Sequence, residues 1–468
     1  MERMVESQTR LIRFMAIILL SLFLTYLVRD ASFGEAQVYV LFLLFFSIGL
    51  WVTEAIPPFA VGIMIVGFLV FFLGQPGLEG KNIDVEKFVN TWSDSVIWLL
   101  LGGFFLAEGL KKTGLDMEVF KLVTARFGQN PKKMLLSLML ATAGISMIMS
   151  NTATTAMMIA ALMPLVQTLG KDNGFSKSVL LGIPAAASIG GMGTIIGSPP
   201  NAIAVDMINR MEMIPFRIGF LNWMLFGVPV AIVLVILFWF ILRRKYSIPE
   251  KVDLSVLNTP EVEEDEPVRY VGEWNQKRVM WIVLGVTVFL WLTDGLHPIP
   301  MAAVSGIPII ALTMMNIIGA EDVRGLPWDT LMLVAGGLSL GLAIQETGLM
   351  DYFLDQLQDV HMPGLLLIVA FAGITVFSSN IMSNTAAAAI LIPAASLFEG
   401  INPVALALII GLSASCALFL PVSTPPNAIA YSTGFIDQAE FRPGGISIGL
   451  TGPLLITIWV LLLMQVLA

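Results

Sequence analysis

The sequence is poor in the residues that charged and redox chemistry uses. It holds one cysteine, Cys416, and two histidines, His297 and His361. A lone thiol excludes an intrachain disulfide and a cysteine metal cluster. Two histidines far apart in the chain leave no His-based metal site. Charged residues make up 13% of the 468 positions, where a soluble chain carries about a quarter. The net charge is −9, so the basic surface that nucleic-acid binding demands is missing. What fills the chain is apolar, 57% of it, in runs of ~20 residues that suit a bilayer. An all-α polytopic membrane protein is expected. Leu11 to Val28 is too long for a signal-peptide core and has no small-residue cleavage site after it, so it reads as an uncleaved first span.

Hydropathy places eleven spans near 11–29, 37–53, 58–74, 93–110, 178–209, 219–242, 279–296, 301–319, 329–346, 403–432 and 448–467. Two further apolar runs, 134–170 and 362–398, contain no charged residue. Each is slightly short for two ~20-residue spans and a turn. Near their midpoints stand MSNTATTAMM at 149–158 and MSNTAAAAIL at 382–391. Each run therefore reads as a re-entrant hairpin with a polar tip, which is tolerated only in a protein interior or beside a watery cavity. With the N-terminus inside and the C-terminus outside, all 25 Lys and Arg except Arg29, Lys81, Lys87, Arg210 and Arg217 face the cytoplasm, as the positive-inside rule prefers. Lys132, Lys133, Lys171 and Lys177 flank the first hairpin, while Asp355, Asp359 and Glu399 flank the second. The two enter from opposite faces.

That opposition fits an inverted repeat, and the repeat is visible in the letters. WVTEAIPP at 51–58 resembles WLTDGLHP at 291–298, and GGFFLAEGLKKTGL at 102–115 resembles GGLSLGLAIQETGL at 336–349. The Ser-Asn-Thr motifs follow, and then GSPPNAIA at 197–204 matches STPPNAIA at 423–430. The chain divides into a first span with its N-terminus (1–36), a first repeat (37–242), a linker (243–278) and a second repeat (279–468). The linker contains EVEEDEP and reads as solvated and cytoplasmic.

Both PPN motifs fall inside spans, where paired prolines remove backbone donors. Proline suits the first turn of a helix and Ser or Thr before it suits the N-cap, so each span is expected to break and restart at Pro199 or Pro425. In transporters with inverted repeats such breaks meet at the bilayer midplane, N-termini toward anions and loose carbonyls toward cations. Ser and Asn oxygens suit a hard cation, and Asn and Thr donors suit carboxylates. No Lys, Arg or His lies within the hairpins or the broken spans. An anion bound there needs accompanying cations or helix N-termini, each worth about half a charge. A neutral substrate fits the same charge pattern. An enzyme needs a nucleophile–base pair or paired carboxylates, and the motifs contain no acid, His or Cys, so no enzymatic activity is expected. Glu54, Glu108 and Asp294 are membrane-edge acids, for which loop or capping roles are expected ahead of a proton relay. Thr154 and Thr155 are expected to satisfy carbonyls within their own helix.

The ordered quartet of motifs resembles the divalent anion/sodium symporter family, the INDY-type dicarboxylate transporters, over nearly the whole chain. The resemblance implies a homodimeric elevator carrier in the cytoplasmic membrane that imports succinate, malate or fumarate with sodium ions and uses no organic cofactor. A sodium-independent exchanger and a citrate or tricarboxylate carrier of the same fold are the alternatives. By motif position it also implies a first sodium site at Ser146, Ser150, Asn151 and Gly197. The second would use Ser379, the Met382 backbone, Asn384 and Ser423. Substrate carboxylates would meet Asn151, Thr152, Ser198, Asn384, Thr385, Thr424 and Pro425.

Overall fold

A computed structural model describes residues 2–75, 83–118, 130–211, 217–249, 273–350, 352–353, 363–395 and 402–467. Asp355, Asp359 and Glu399, the acidic run of the linker and His361 lie outside these residues. Every described element is helical. Among the described residues, eight helices are long and apolar enough to cross a membrane. The shorter apolar ones, Pro58–Leu73, Met301–Met314, Asn384–Ala395 and Pro403–Cys416, are where turns and breaks fall. The run expected as one span at 301–319 divides into Met301–Val304 and Gly306–Met314. The last helix starts at Gln438, earlier than expected, with Pro443 and Pro453 inside it.

Local chemistry sets the helix starts. Asn130 stands before Pro131 and accepts from the amides of Lys132 (3.1 Å) and Lys133 (3.2 Å). Asn402 stands before Pro403 and accepts from Val404 (3.0 Å) and Ala405 (3.3 Å). Proline at the first helical position with a capping Asn ahead of it uses up amides that would otherwise lack partners.

The repeat is physical as well as textual. The Trp51 indole donates to the Pro58 carbonyl (3.2 Å), and Trp291, its counterpart, donates to Met301 (3.3 Å). In each half this closes a helix onto the start of the next. A Cβ on Gly102 would lie 2.6 Å from Ser305 Cβ, and one on Gly336 would lie 2.2 Å from Gly62 Cα. Gly102 aligns with Gly336, and AVG at 60–62 with AVS at 303–305, so both halves repeat one close helix crossing. Small residues at such crossings let apolar helices approach where lipid offers no hydrophobic drive. Gly336→Val should therefore lower the melting temperature in detergent sharply, since overpacking costs about 1–3 kcal/mol or more. Gly67→Ala, whose Cβ would meet nothing within 4 Å, should not. A Gly336→Val protein melting with the wild type would refute the contact.

Two apolar clusters organise the interior. The smaller joins helices Glu2–Val28, Glu35–Thr53 and Pro58–Leu73 to part of Trp328–Glu346. The larger holds the hairpins, the broken helices, Phe220–Lys245 and Gln438–Leu467. Outward faces remain apolar, as Leu19 (65% exposed) and Phe377 (68%) illustrate; that is the surface lipid requires. The two halves interlock. Pro199–Arg210 packs on Asn384–Ala395 and Pro403–Ser413, while Pro425–Ser432 packs on Asn151–Leu169 and Gly174–Gly191.

Candidate functional site

Both hairpins turn at their Ser-Asn-Thr motifs. Pro131–Ser146 gives way to Asn151–Leu169, with the Ser150 hydroxyl accepting from the Ala153 amide (3.2 Å). Gly364–Ile381 gives way to Asn384–Ala395, where Ser383 accepts from Ala386 (3.1 Å). Serine thus starts the outgoing helix each time. The PPN segments break where expected. Gly174–Gly191 is followed by Pro199–Arg210, and Pro403–Ser413 with the turn Ala414–Cys416 by Pro425–Ser432. Thr424 caps by accepting from the Asn427 amide (3.3 Å). Ser198, at the same position, makes no capping bond although it is 3% exposed.

One cavity of about 630 Å³ brings the four motifs together. Asn151, Thr152, Ser198, Asn384, Thr385, Thr424 and Pro425 all line it, as do Ser150, Gly197 and Ser423. Ser146, Ser379 and Met382 lie buried outside its lining. Asn151, Pro199, Asn384 and Pro425 are the first residues of four helices, so four N-termini converge on one space. At about half a charge each they offer roughly two positive charges before screening.

The two sets of oxygens expected to hold cations differ in how they are occupied. With its amide nitrogen toward the carbonyls of Ala187 (3.1 Å) and Gly197 (3.3 Å) and toward Ser146 Oγ (2.6 Å), Asn151 shares its two N–H groups among three oxygens. A Cβ on Gly191 would fall 2.5 Å from the nearer end of the Asn151 amide, so this packing needs glycine there. In the second half Ser379 Oγ and Asn384 Oδ1 are buried without a hydrogen-bond partner. Unpartnered buried oxygens cost free energy, and oxygen donors of this kind fit a hard cation. The Ser423 hydroxyl is engaged, accepting from the Leu420 amide and donating to Asn380 Oδ1, both at 2.8 Å. Its counterpart Gly197 has no side chain, so the carbonyl is the oxygen both positions can share.

Three expectations need correction. Lys111 lines the cavity with Glu108, 3.5 Å away, and Asp329; the hairpins and broken spans lack basic residues but the cavity does not. Reading along the chain cannot show which helix end folds over the space. Thr154 and Thr155 are fully buried, but their hydroxyls bond no carbonyl. Ser198 leaves its cap unmade. Glu54 sits exposed at a helix end with φ 48°, and Asp294 opens a short turn against Gly219; neither lines the cavity.

Sequence reading also missed residues. Ser188 and Ser383 line the cavity. Asn201 donates to the carbonyls of Gly191 (2.9 Å) and Thr194 (2.7 Å), as Asn427 does to Leu420 (3.0 Å) and Leu418 (3.4 Å). An asparagine in both PPN copies was the available signal: it holds the unwound backbone open.

Residues 48–398 match the family described as citrate transporter, CitMHS. The chain belongs to this family, one of divalent anion/sodium symporter type. An uncharacterized transporter of Haemophilus influenzae is 33% identical over 437 residues, covering 87% of this chain and 88% of that protein. The sodium-dependent dicarboxylate transporter SdcS of Staphylococcus aureus is 28% identical over 461 residues, covering 92% and 86%. Among solved structures, the YdaH transporter of Alcanivorax borkumensis matches with a TM-score of 0.56 at 13% identity, over 86% of this chain and 98% of that one. MtrF of Neisseria gonorrhoeae gives 0.55 at 13%, over 86% and 94%. These two share the fold. The protein is a membrane transporter of carboxylates and not an enzyme.

Proposed function

We propose that the transporter imports C4-dicarboxylates, succinate, malate or fumarate, together with sodium ions. The observation that carries this reading is the convergence of four helix N-termini on one cavity. That field suits two carboxylates separated by a short carbon chain, and the volume is that of a small-molecule site. Sodium coupling is supported by the unpartnered oxygens of Ser379 and Asn384 and by similarity to the sodium-dependent transporter SdcS. The sites are those named from the motifs: Ser146, Ser150, Asn151 and Gly197 for one ion, and Ser379, Met382, Asn384 and Ser423 for another. Asn151, Thr152, Ser198, Asn384, Thr385, Thr424 and Pro425 meet the substrate. The carrier works as an elevator in a homodimer, with eleven crossings of the cytoplasmic membrane and two re-entrant hairpins, N-terminus inside and C-terminus outside. The cavity then opens to the cytoplasm, because its lining includes Glu108, Lys111, Gly325, Leu326, Pro327, Asp329 and Thr330.

Citrate is the second reading, favoured by the family's description and by Lys111 at the mouth, which could meet a third carboxylate. Both readings share one test. Succinate should raise the melting temperature in sodium chloride and much less in potassium or choline chloride, and labelled succinate should enter proteoliposomes down a sodium gradient. Binding of sodium and substrate must strengthen each other reciprocally. Equal stabilisation in all three salts would sink the coupling and favour a sodium-independent exchanger. Stabilisation by citrate alone would shift the substrate.

A further inference from the structure

The two halves join hairpin to broken helix at equivalent places with different residues. In the first half, the Thr194 hydroxyl donates to the Met147 carbonyl on the hairpin turn and accepts from the Gly197 amide at 3.0 Å. In the second half, Asn380 Oδ1 on the hairpin accepts from the Phe419 amide at 2.9 Å and the Ser423 hydroxyl at 2.8 Å. The Asn380 amide nitrogen is anchored on the Val376 carbonyl at 2.8 Å. Aligning Asn151 with Asn384 puts Met147 where Asn380 stands. Aligning the PPN motifs puts Gly197 at Ser423 and Thr194 at Leu420.

The same two pieces of backbone are therefore fastened in both halves, but the side chain that fastens them changes sides. Thr194 reaches from the broken helix to the hairpin; Asn380 reaches from the hairpin to the broken helix. Neither counterpart could do the work, since Leu420 has no polar side chain and Met147 contributes its carbonyl. Room is arranged accordingly: a Cβ on Gly193 would fall 2.7 Å from Met147 Cε, so glycine there lets the Met147 side chain in.

What these bonds fasten is the gap between two groups of oxygens. Ser146 and Asn151 stand on the first hairpin and Gly197 on the first break; Ser379 and Asn384 stand on the second hairpin and Ser423 on the second break. An ion held by both arms needs their separation fixed to a few tenths of an ångström, and unwound backbone does not supply that by itself. We infer that Thr194 and Asn380 are a matched pair of positioning residues, each setting the distance between the two oxygen arms of the cation site in its own half. The inference rests on the sodium-coupled reading above. Neither residue lines the cavity, so neither acts by touching substrate.

The test is a sodium titration of succinate uptake in proteoliposomes, with sodium-dependent melting as a second readout. Thr194→Val removes the hydroxyl at nearly constant shape, and Thr194→Ser restores it. Asn380→Leu removes the acceptor of both bonds together with the donor to Val376. Val and Leu should each raise the half-saturating sodium concentration about fivefold or more, the scale of one or two lost hydrogen bonds. The rate at saturating sodium should fall by a smaller factor. Ser should lie within about twofold of the wild type, in melting as in uptake. Unchanged half-saturation in Val and Leu overturns the inference. So does Ser behaving like Val, or a failure of both Val and Leu to fold, which would make the bonds structural. A wild type indifferent to sodium refutes the coupling reading itself, before any variant is compared.

Discussion

Asn384→Ala should abolish sodium-coupled uptake, a loss of at least about a hundredfold, while leaving the substrate-free protein as stable as the wild type. The reason lies in the unpartnered oxygen. Asn384 Oδ1 and Ser379 Oγ are buried without partners, so truncation removes an unsatisfied acceptor and breaks no bond to the protein; deleting such a group costs little. Asn151→Ala should abolish uptake too, but at a price in stability. Its amide shares its two N–H groups among the Ala187 and Gly197 carbonyls and Ser146 Oγ, and truncation breaks those bonds. The two substitutions are equal by sequence and unequal by structure. Melting curves in sodium-free detergent should separate them, with Asn151→Ala lower. Uptake near the wild-type rate in either variant would refute the carried-over site. Equal melting temperatures would refute the difference in occupancy.

Much of this arrangement was legible in the chain because its signals are local. Asn before Pro starts a helix wherever it occurs, as at 130–131 and 402–403, and Ser-Asn-Thr in an apolar run marks a turn. The breaks at Pro199 and Pro425 followed from proline chemistry alone. What was not legible depends on the packing of one half against the other. Lys111 lies well before the Ser-Asn-Thr and PPN motifs in the chain, yet the end of its helix lines the cavity. The bonds from Thr194 to the Met147 carbonyl and from the Phe419 amide to Asn380 join separate turns, and such pairings leave no mark on composition. Thr154 and Thr155 show the limit in the other direction: helix rules gave their hydroxyls carbonyl partners, and packing has left them none. Their counterparts Ala387 and Ala388 build the same helix without hydroxyls, so the fold does not require them.

The other large effect concerns motion. Arg210, at the end of the first restarted helix, pairs with Asp206 on its own helix (2.7 Å) and with Asp94 at the start of Ser95–Lys112. Asp94 also caps that helix through the Val96 amide (2.9 Å). Pairs elsewhere join neighbours that an elevator would move together: Lys87–Glu346 and Lys112–Asp322 on the static side, Lys171–Asp437 and Lys177–Glu440 on the mobile side. Lys177 and Glu440 are both mostly shielded from solvent, and Glu440 holds the Lys177 ammonium above its usual range. Arg210–Asp94 instead links a helix bearing the binding motif to one that would stay still. It sits at the end of Ser95–Lys112 opposite Lys111, so the link closes the face away from the cavity mouth. If the motif-bearing helices travel, this pair must part in every cycle. Cysteines at 94 and 210, in a Cys416→Ala background and joined by a short bifunctional thiol reagent, should therefore stop uptake almost completely, with recovery when a cleavable reagent is cut. The same treatment of cysteines at 177 and 440 should leave uptake within about twofold of the untreated protein, since a link inside one moving body opposes no displacement. Uptake that survives the 94–210 link would mean that substrate crosses without this helix leaving its partner, and a rigid-body elevator would have to be abandoned for local gating at the hairpin tips.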